Sequence, residues 1–186
     1  MSALPPKADM RGAVTDVRFG PKADIVTYLA RHSALREKWR FLAEIGPMSA
    51  ELLVGNWKLV SWQVVNEDGA KDLFGSKPSG YFIVTREGRA MTVTTAEGRK
   101  PGETDAERAA LHKSMLAYTG KYPVEGDEFI TTVDASWNEG WNGTEQRRRF
   151  RVEGDKLFIE SAPAPSITSP GKVDFRRIVW EREKSK

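Results

Sequence analysis

From Leu52 onward the chain breaks into short runs rich in β-branched and aromatic residues, each ended by turn formers. The runs are 53–65 (LVGNWKLVSWQVV), 79–85 (SGYFIVT), 89–95 (RAMTVTT), 120–124 (GKYPV), 128–138 (EFITTVDASWN), 144–152 (TEQRRRFRV), 155–161 (DKLFIES) and 172–181 (KVDFRRIVWE), eight candidate strands. Between them stand Glu67-Asp68-Gly69, Arg86-Glu87-Gly88, Glu125-Gly126-Asp127 and Glu153-Gly154-Asp155. Such turns suit hairpins and leave no room for the crossover helices of a parallel sheet. An antiparallel meander buries its apolar face as a sandwich or as a closed barrel. Closure removes the exposed edges and, at eight strands, leaves space for side chains or one small ligand. The expected fold is therefore all-β, an eight-stranded antiparallel up-and-down barrel.

One insertion interrupts the meander. Thr104-Asp105-Ala106-Glu107 is a capping-box pattern preceded by Pro101-Gly102, and it predicts a helix over 105–118. Leu111, Met115 and Tyr118 would form its apolar face, either as plain core or as a lid over one barrel end.

With 186 residues, one domain plus an appendage is expected: an N-terminal extension over 1–46 and a barrel domain over 47–186. Residues 1–22 read as poorly ordered. Residues 24–45 carry an apolar stripe (Ile25, Leu29, Leu35, Trp39, Leu42, Ile45) that predicts one amphipathic helix outside the barrel. MSALPPKADM followed by DVRFGPKADI resembles a leader that precedes unrelated bacterial reading frames. A misplaced start and a genuine extension both stay open, and the segment is assigned no function.

The extension carries the excess positive charge, net +3 over residues 1–50, whereas residues 51–186 are balanced. The barrel thus has no global field to attract nucleic acid, and no nucleic-acid partner is expected. There is no cysteine, and the two histidines, His32 and His112, stand far apart. Neither a thiolate nor a histidine metal site is expected, and no cofactor is called for. No apolar run is long enough to span a membrane, nor does the start contain a secretory apolar block, so a cytoplasmic location is expected. Monomer and dimer stay open.

On the first strand Gly55, Trp57, Leu59, Ser61, Gln63 and Val65 share an uncharged face, the expected interior. Gly55-Asn56-Trp57 at its start resembles the Gly-x-Trp of the lipocalin superfamily. That resemblance implies that Trp57 closes one barrel end beneath an arginine of the last strand, here Arg176 or Arg177. LVGNWKLVSWQ, PSGYFIVTREGRAMTV, TGKYPVEGD, GWNGTEQRRRF, VEGDKLFI and RIVWER, in this order, are similar to the bacterial and fungal lipocalin-like domain family. The resemblance implies a small ligand-holding barrel with no general reaction. Where a pair of histidines and a glutamate would be expected, the chain has Thr131, Thr132 and Asp134, so no acid–base role carries over.

The expected site is built on the run 144–152. Gln146, Arg148, Phe150 and Val152 alternate toward the interior, while Glu145, Arg147, Arg149 and Arg151 form a solvated ladder outside. An interior arginine requires an acidic partner or an anionic ligand. Tyr81, Met91, Phe129, Trp137 and Trp141 are expected to join Gln146, Arg148 and Phe150 around a small hydrophobic or aromatic ligand bearing an anion or carbonyl. Phe129, Thr131, Val133, Ala135 and Trp137 form the inward face of their strand and Asp134 points outward, unless a bulge near residues 138–140 flips it. The alternative function is an isomerase or cyclase acting on a polyketide- or terpenoid-like substrate, with Arg148 and Asp134 or Glu160 moving protons. An interaction domain using the sheet exterior is a third reading. No nucleophile elbow, phosphate loop or dinucleotide fingerprint is present.

Overall fold

A computed structural model describes residues 50–166 and 171–184. Their order is α1 (Ala50–Leu53), β1 (Gly55–Asn66), β2 (Gly69–Asp72), β3 (Ser79–Val84), β4 (Arg89–Thr95), α2 (Asp105–Lys113), β5 (Met115–Lys121), β6 (Val124–Glu125), β7 (Glu128–Ser136), a 3-10 turn (Glu139–Trp141), β8 (Glu145–Glu153), β9 (Lys156–Ser161), β10 (Ala164–Pro165) and β11 (Val173–Arg182). The extension over 1–46, with the helix expected over 24–45, lies outside the described residues.

Strands β1, β3, β4, β5, β7, β8, β9 and β11 follow one another around the sheet, and β11 returns to pair with β1. All these pairs are antiparallel, so the meander closes as the expected eight-stranded barrel. Short β2, β6 and β10 add ribs to β1, β7 and β11.

The insertion is a helix with the expected capping box: Thr104 accepts from the Glu107 amide, and Glu107 accepts from the Thr104 amide. It ends at Lys113, five residues before the expected end at 118. Met115 and Tyr118 belong instead to β5, where seven residue pairs zip onto β4. Sheet pairing wins because a helix continued to 118 would leave the edge of β4 unpaired and the barrel wall open, whereas β5 fills that edge rung by rung. The strand expected over 120–124 therefore begins at Met115.

Inside, aromatic rings form a connected layer. Trp62 meets Trp180 at 6.4 Å, Trp180 meets Phe82 at 5.7 Å, Phe82 meets Phe129 at 5.6 Å, and Phe129 meets Phe150 at 6.0 Å between centroids. Each such side chain contributes roughly 2 to 3 kcal/mol on burial. Trp62 reaches this layer because β1 carries a bulge: Leu59 pairs with Trp180 and Ser61 with Val179, so Val60 is an extra residue. The expected interior face holds for Trp57 and Leu59 and then reverses. Trp62 is buried inside, whereas Gln63 is outside, donating to Asp72 on β2, and Val65 packs with Val173 and Phe175 in a separate cluster.

Candidate functional site

The two barrel ends differ in chemistry. At the closed end Trp57 is fully buried and donates its indole N–H to the Leu53 carbonyl at 2.7 Å. The guanidinium over its ring is that of Arg182, 4.0 Å from the ring centroid. Arg182 also donates to Val54 O at 2.8 Å and Leu52 O at 2.9 Å, tying α1 across the floor. Gly55 has φ +143°, and a Cβ there would come within 2.7 Å of the Arg182 guanidinium, so only glycine lets this arginine pass. The expectation that Arg176 or Arg177 closes the barrel is corrected. Both pair with β1 at Val64 and Gln63, near the opposite end, whereas Arg182 is the residue in register with Trp57.

At the opposite end the β8 alternation holds for the inward face. Phe150 is buried inside and Gln146 and Arg148 are half-buried beside it. Arg148 donates to Gln146 Oε1 at 2.8 Å and to Arg147 O at 2.7 Å. Gln146 in turn donates to Thr144 Oγ1 at 3.2 Å. No carboxylate pairs with Arg148 among the described residues. The one interior acid on the neighbouring wall, Asp174, is 1% exposed and forms an ion pair with Arg176. Burial lowers the pKa of the Arg148 guanidinium; the Tyr118 phenol opposes that shift, and the Arg176 cation reinforces it. Burial likewise raises the Tyr118 pKa. The outcome is an inward guanidinium held by two neutral acceptors, facing a phenol and a second, already paired arginine.

Trp137 precedes the 3-10 turn at this end and Trp141 is its last residue. Their rings lie 4.9 Å apart, and Trp141 stands 5.6 Å from Tyr118. The turn is held by Asn138, whose side chain accepts from Gly140 N at 3.1 Å. His112 of α2 contacts the Trp137 carbonyl at 3.1 Å, which places the inserted helix beside these rings. No α2 residue is fully buried, so the helix rests on the rim rather than in the core.

Two residues expected in the cavity are not there. Tyr81 and Met91 are outside the barrel, each 41% exposed. Their neighbours in the strand take the interior: Gly80, Phe82 and Val84 on β3, and Ala90, Thr92 and Thr94 on β4. Over Met91–Thr94 the strand thus turns its two threonines inward and Met91 and Val93 outward, against the usual reading of an alternating strand. Phe129 and Phe150 do point inward but are 1% exposed in mutual contact, forming the floor beneath the polar groups.

The acids considered for proton transfer are also outside. On β7 the inward face runs Phe129, Thr131, Val133 as expected, but the bulge lies at Asp134 rather than near residues 138–140: Gly120 pairs with Val133 and Thr119 with Ala135. Ala135 is accordingly exposed rather than interior. Asp134 binds Arg89 at 2.8 Å on the outer surface. Glu160 of β9 is buried outside the barrel wall against Arg177, at 2.8 Å. Burial raises its pKa, and Arg177 opposes that rise.

A set of interior donors is not evident from the sequence. Thr92, Thr94 and Thr131 hydroxyls and the Trp62 and Trp180 indole N–H groups are buried without a hydrogen-bond partner. Thr131 alone stands out in the sequence, and only as a departure from a family pattern. Buried polar groups are satisfied in nearly all folded proteins, so five unpartnered ones facing one interior need explaining.

No helix among the described residues is long and apolar enough to cross a membrane. An eight-stranded closed barrel has an interior that side chains fill or that holds one small ligand. No curated protein matches the sequence. The family model described as the lipocalin-like domain matches residues 54–183, from the strand that carries Trp57 to just beyond Arg182. The chain therefore belongs to the lipocalin-like domain family.

Proposed function

We propose that this barrel binds a small, largely apolar or aromatic molecule bearing an anionic or carbonyl oxygen, with Arg148 as its polar anchor. The observation that carries the reading is the inward Arg148 guanidinium with, among the described residues, only Gln146 Oε1 and Arg147 O as acceptors. Desolvating a cation without a counter-charge is costly, and a bound carboxylate or enolate would supply that charge in a bidentate geometry. Tyr118, Trp137 and Trp141 supply aromatic surface around it. Binding is preferred over isomerase or cyclase chemistry because Asp134 and Glu160, the acids that reaction would use, are engaged outside with Arg89 and Arg177. A cytoplasmic location and a small-molecule rather than nucleic-acid partner belong to the same reading.

Native mass spectrometry of the freshly purified full chain, followed by solvent extraction, tests it. A defined extra mass that extracts as an organic acid or phenol, and is missing from Arg148→Leu, is the expected result. A bare protein mass, with Trp137 and Trp141 fluorescence unmoved by fatty acids and aromatic acids, would overturn the reading.

A further inference from the structure

Strand β4 lies across the barrel from β9, as the strand order β1, β3, β4, β5, β7, β8, β9, β11 requires. The wall of β8, β9 and β11 carries Arg148, Ser161 and Arg176, which occupy neighbouring inward positions: Arg148 pairs with Ser161, and the Ser161 hydroxyl accepts from the Arg176 amide at 2.9 Å. The facing wall carries Thr92, 3% exposed, and Thr94, 0% exposed, both with unpartnered hydroxyls. In register beside them stand Phe82 and Tyr118 for Thr92, and Gly80 and Leu116 for Thr94. None of these supplies an acceptor side chain at the Thr92 or Thr94 hydroxyl. Trp62 closes the ring from β1 with an indole N–H that is also unpartnered and that can only donate.

We infer that Thr92, Thr94 and Trp62 form a second subsite, facing Arg148 across the barrel, for a ligand carbonyl or hydroxyl oxygen. The inference rests on the proposed binding of an acid at Arg148 and adds the far end of the molecule. The ligand is two-ended: an acid group at the arginine wall, a flat apolar body over the aromatic floor, and a hydrogen-bond acceptor at the threonine wall. Two hydroxyls that can donate or accept and one indole N–H that can only donate, with no inward carboxylate among the described residues of that wall, favour an oxygen acceptor over a cation. A fatty acid, with a bare hydrocarbon tail, would leave all three donors unpaired and is disfavoured.

Two matched acids test this in the full chain: 9-oxofluorene-2-carboxylate, which carries a ketone, and fluorene-2-carboxylate, which does not. Titration followed by tryptophan fluorescence is expected to show the keto acid binding at least about tenfold tighter, the scale of one or two buried hydrogen bonds. Thr92→Val with Thr94→Val should reduce that preference by weakening the keto acid alone, the Trp62 indole N–H remaining, and Thr94→Ser, which keeps the hydroxyl, should retain it. Each single valine variant provides the same comparison if the double variant does not fold. Equal affinities in the unaltered protein overturn the second subsite. If both acids then still weaken in Arg148→Leu, the anchor stands without it. Binding of neither acid overturns both.

Discussion

Arg182 joins three elements through one side chain: it covers Trp57, and its two amino groups hold the carbonyls that end α1. Arg182→Met keeps an unbranched apolar stem but is shorter and removes the charge and both donors, leaving two carbonyls without this partner. Its expected cost is about 2 to 3 kcal/mol, read as a lower midpoint in urea with an unchanged slope. Glu160 gives a residue-level prediction of the opposite kind. Its pKa is raised above the ordinary 4.5 by burial, so the fold favours its protonated form. The stability it contributes is complete below that value and is lost as pH rises through the raised pKa. Relative to Glu160→Gln, the unaltered protein should therefore lose stability in urea melts as the pH rises above 4.5. A relative gain over that range would mean that the Arg177 pairing, not burial, governs this carboxyl.

Element boundaries reflect competition between local and paired backbone. The Thr104 box starts α2 where its residues say it should, but β4 takes Met115 onward because its unpaired edge accepts each added residue as a new rung. Since α2 has no fully buried residue, its stability is local. Thr104→Ala is expected to cost about 1 kcal/mol of helix stability. The readout is faster hydrogen exchange at amides 105–108 with almost no change in global melting; a full drop in melting temperature would show the helix to be integral to the barrel. Two bulges act at the same scale. Val60 and Asp134 each add one residue to a strand, and each reverses the faces of the residues beyond it. They turn Trp62 in and Ala135 out, and Asp134 itself is held at the outer surface by Arg89.

Across the whole molecule, the interior divides into an aromatic layer that stabilises the fold and a polar layer above it. Arg148 sits in that second layer, where burial disfavours its charge. Arg148→Leu is expected to raise the melting temperature of the ligand-free protein by about 3 °C, the scale of about 1 kcal/mol in a domain of this size, while removing acid binding. A lower melting temperature would instead show that Arg148 is held by structural contacts, and that its charge is no liability in the empty barrel.

The strands other than the start of β5, the hairpin turns, the inward Gln146–Arg148–Phe150 face and the role of Trp57 are legible in residue order, because side-chain alternation and turn chemistry act between neighbours in the chain. The lipocalin-like character is legible for the same reason, its blocks being local motifs. Which arginine reaches Trp57 is not, since it depends on the register in which the last strand meets the first when the barrel closes. Nor is the placement of Met91 outside and Thr92 and Thr94 inside: an alternating strand offers two faces, and hydrophobicity alone picks the wrong one here. That choice is made by the neighbouring strands, whose pairing sets Phe82 beside Thr92 and Tyr118 beyond it. Closure of the barrel, not the composition of β4, put its threonines on the interior wall.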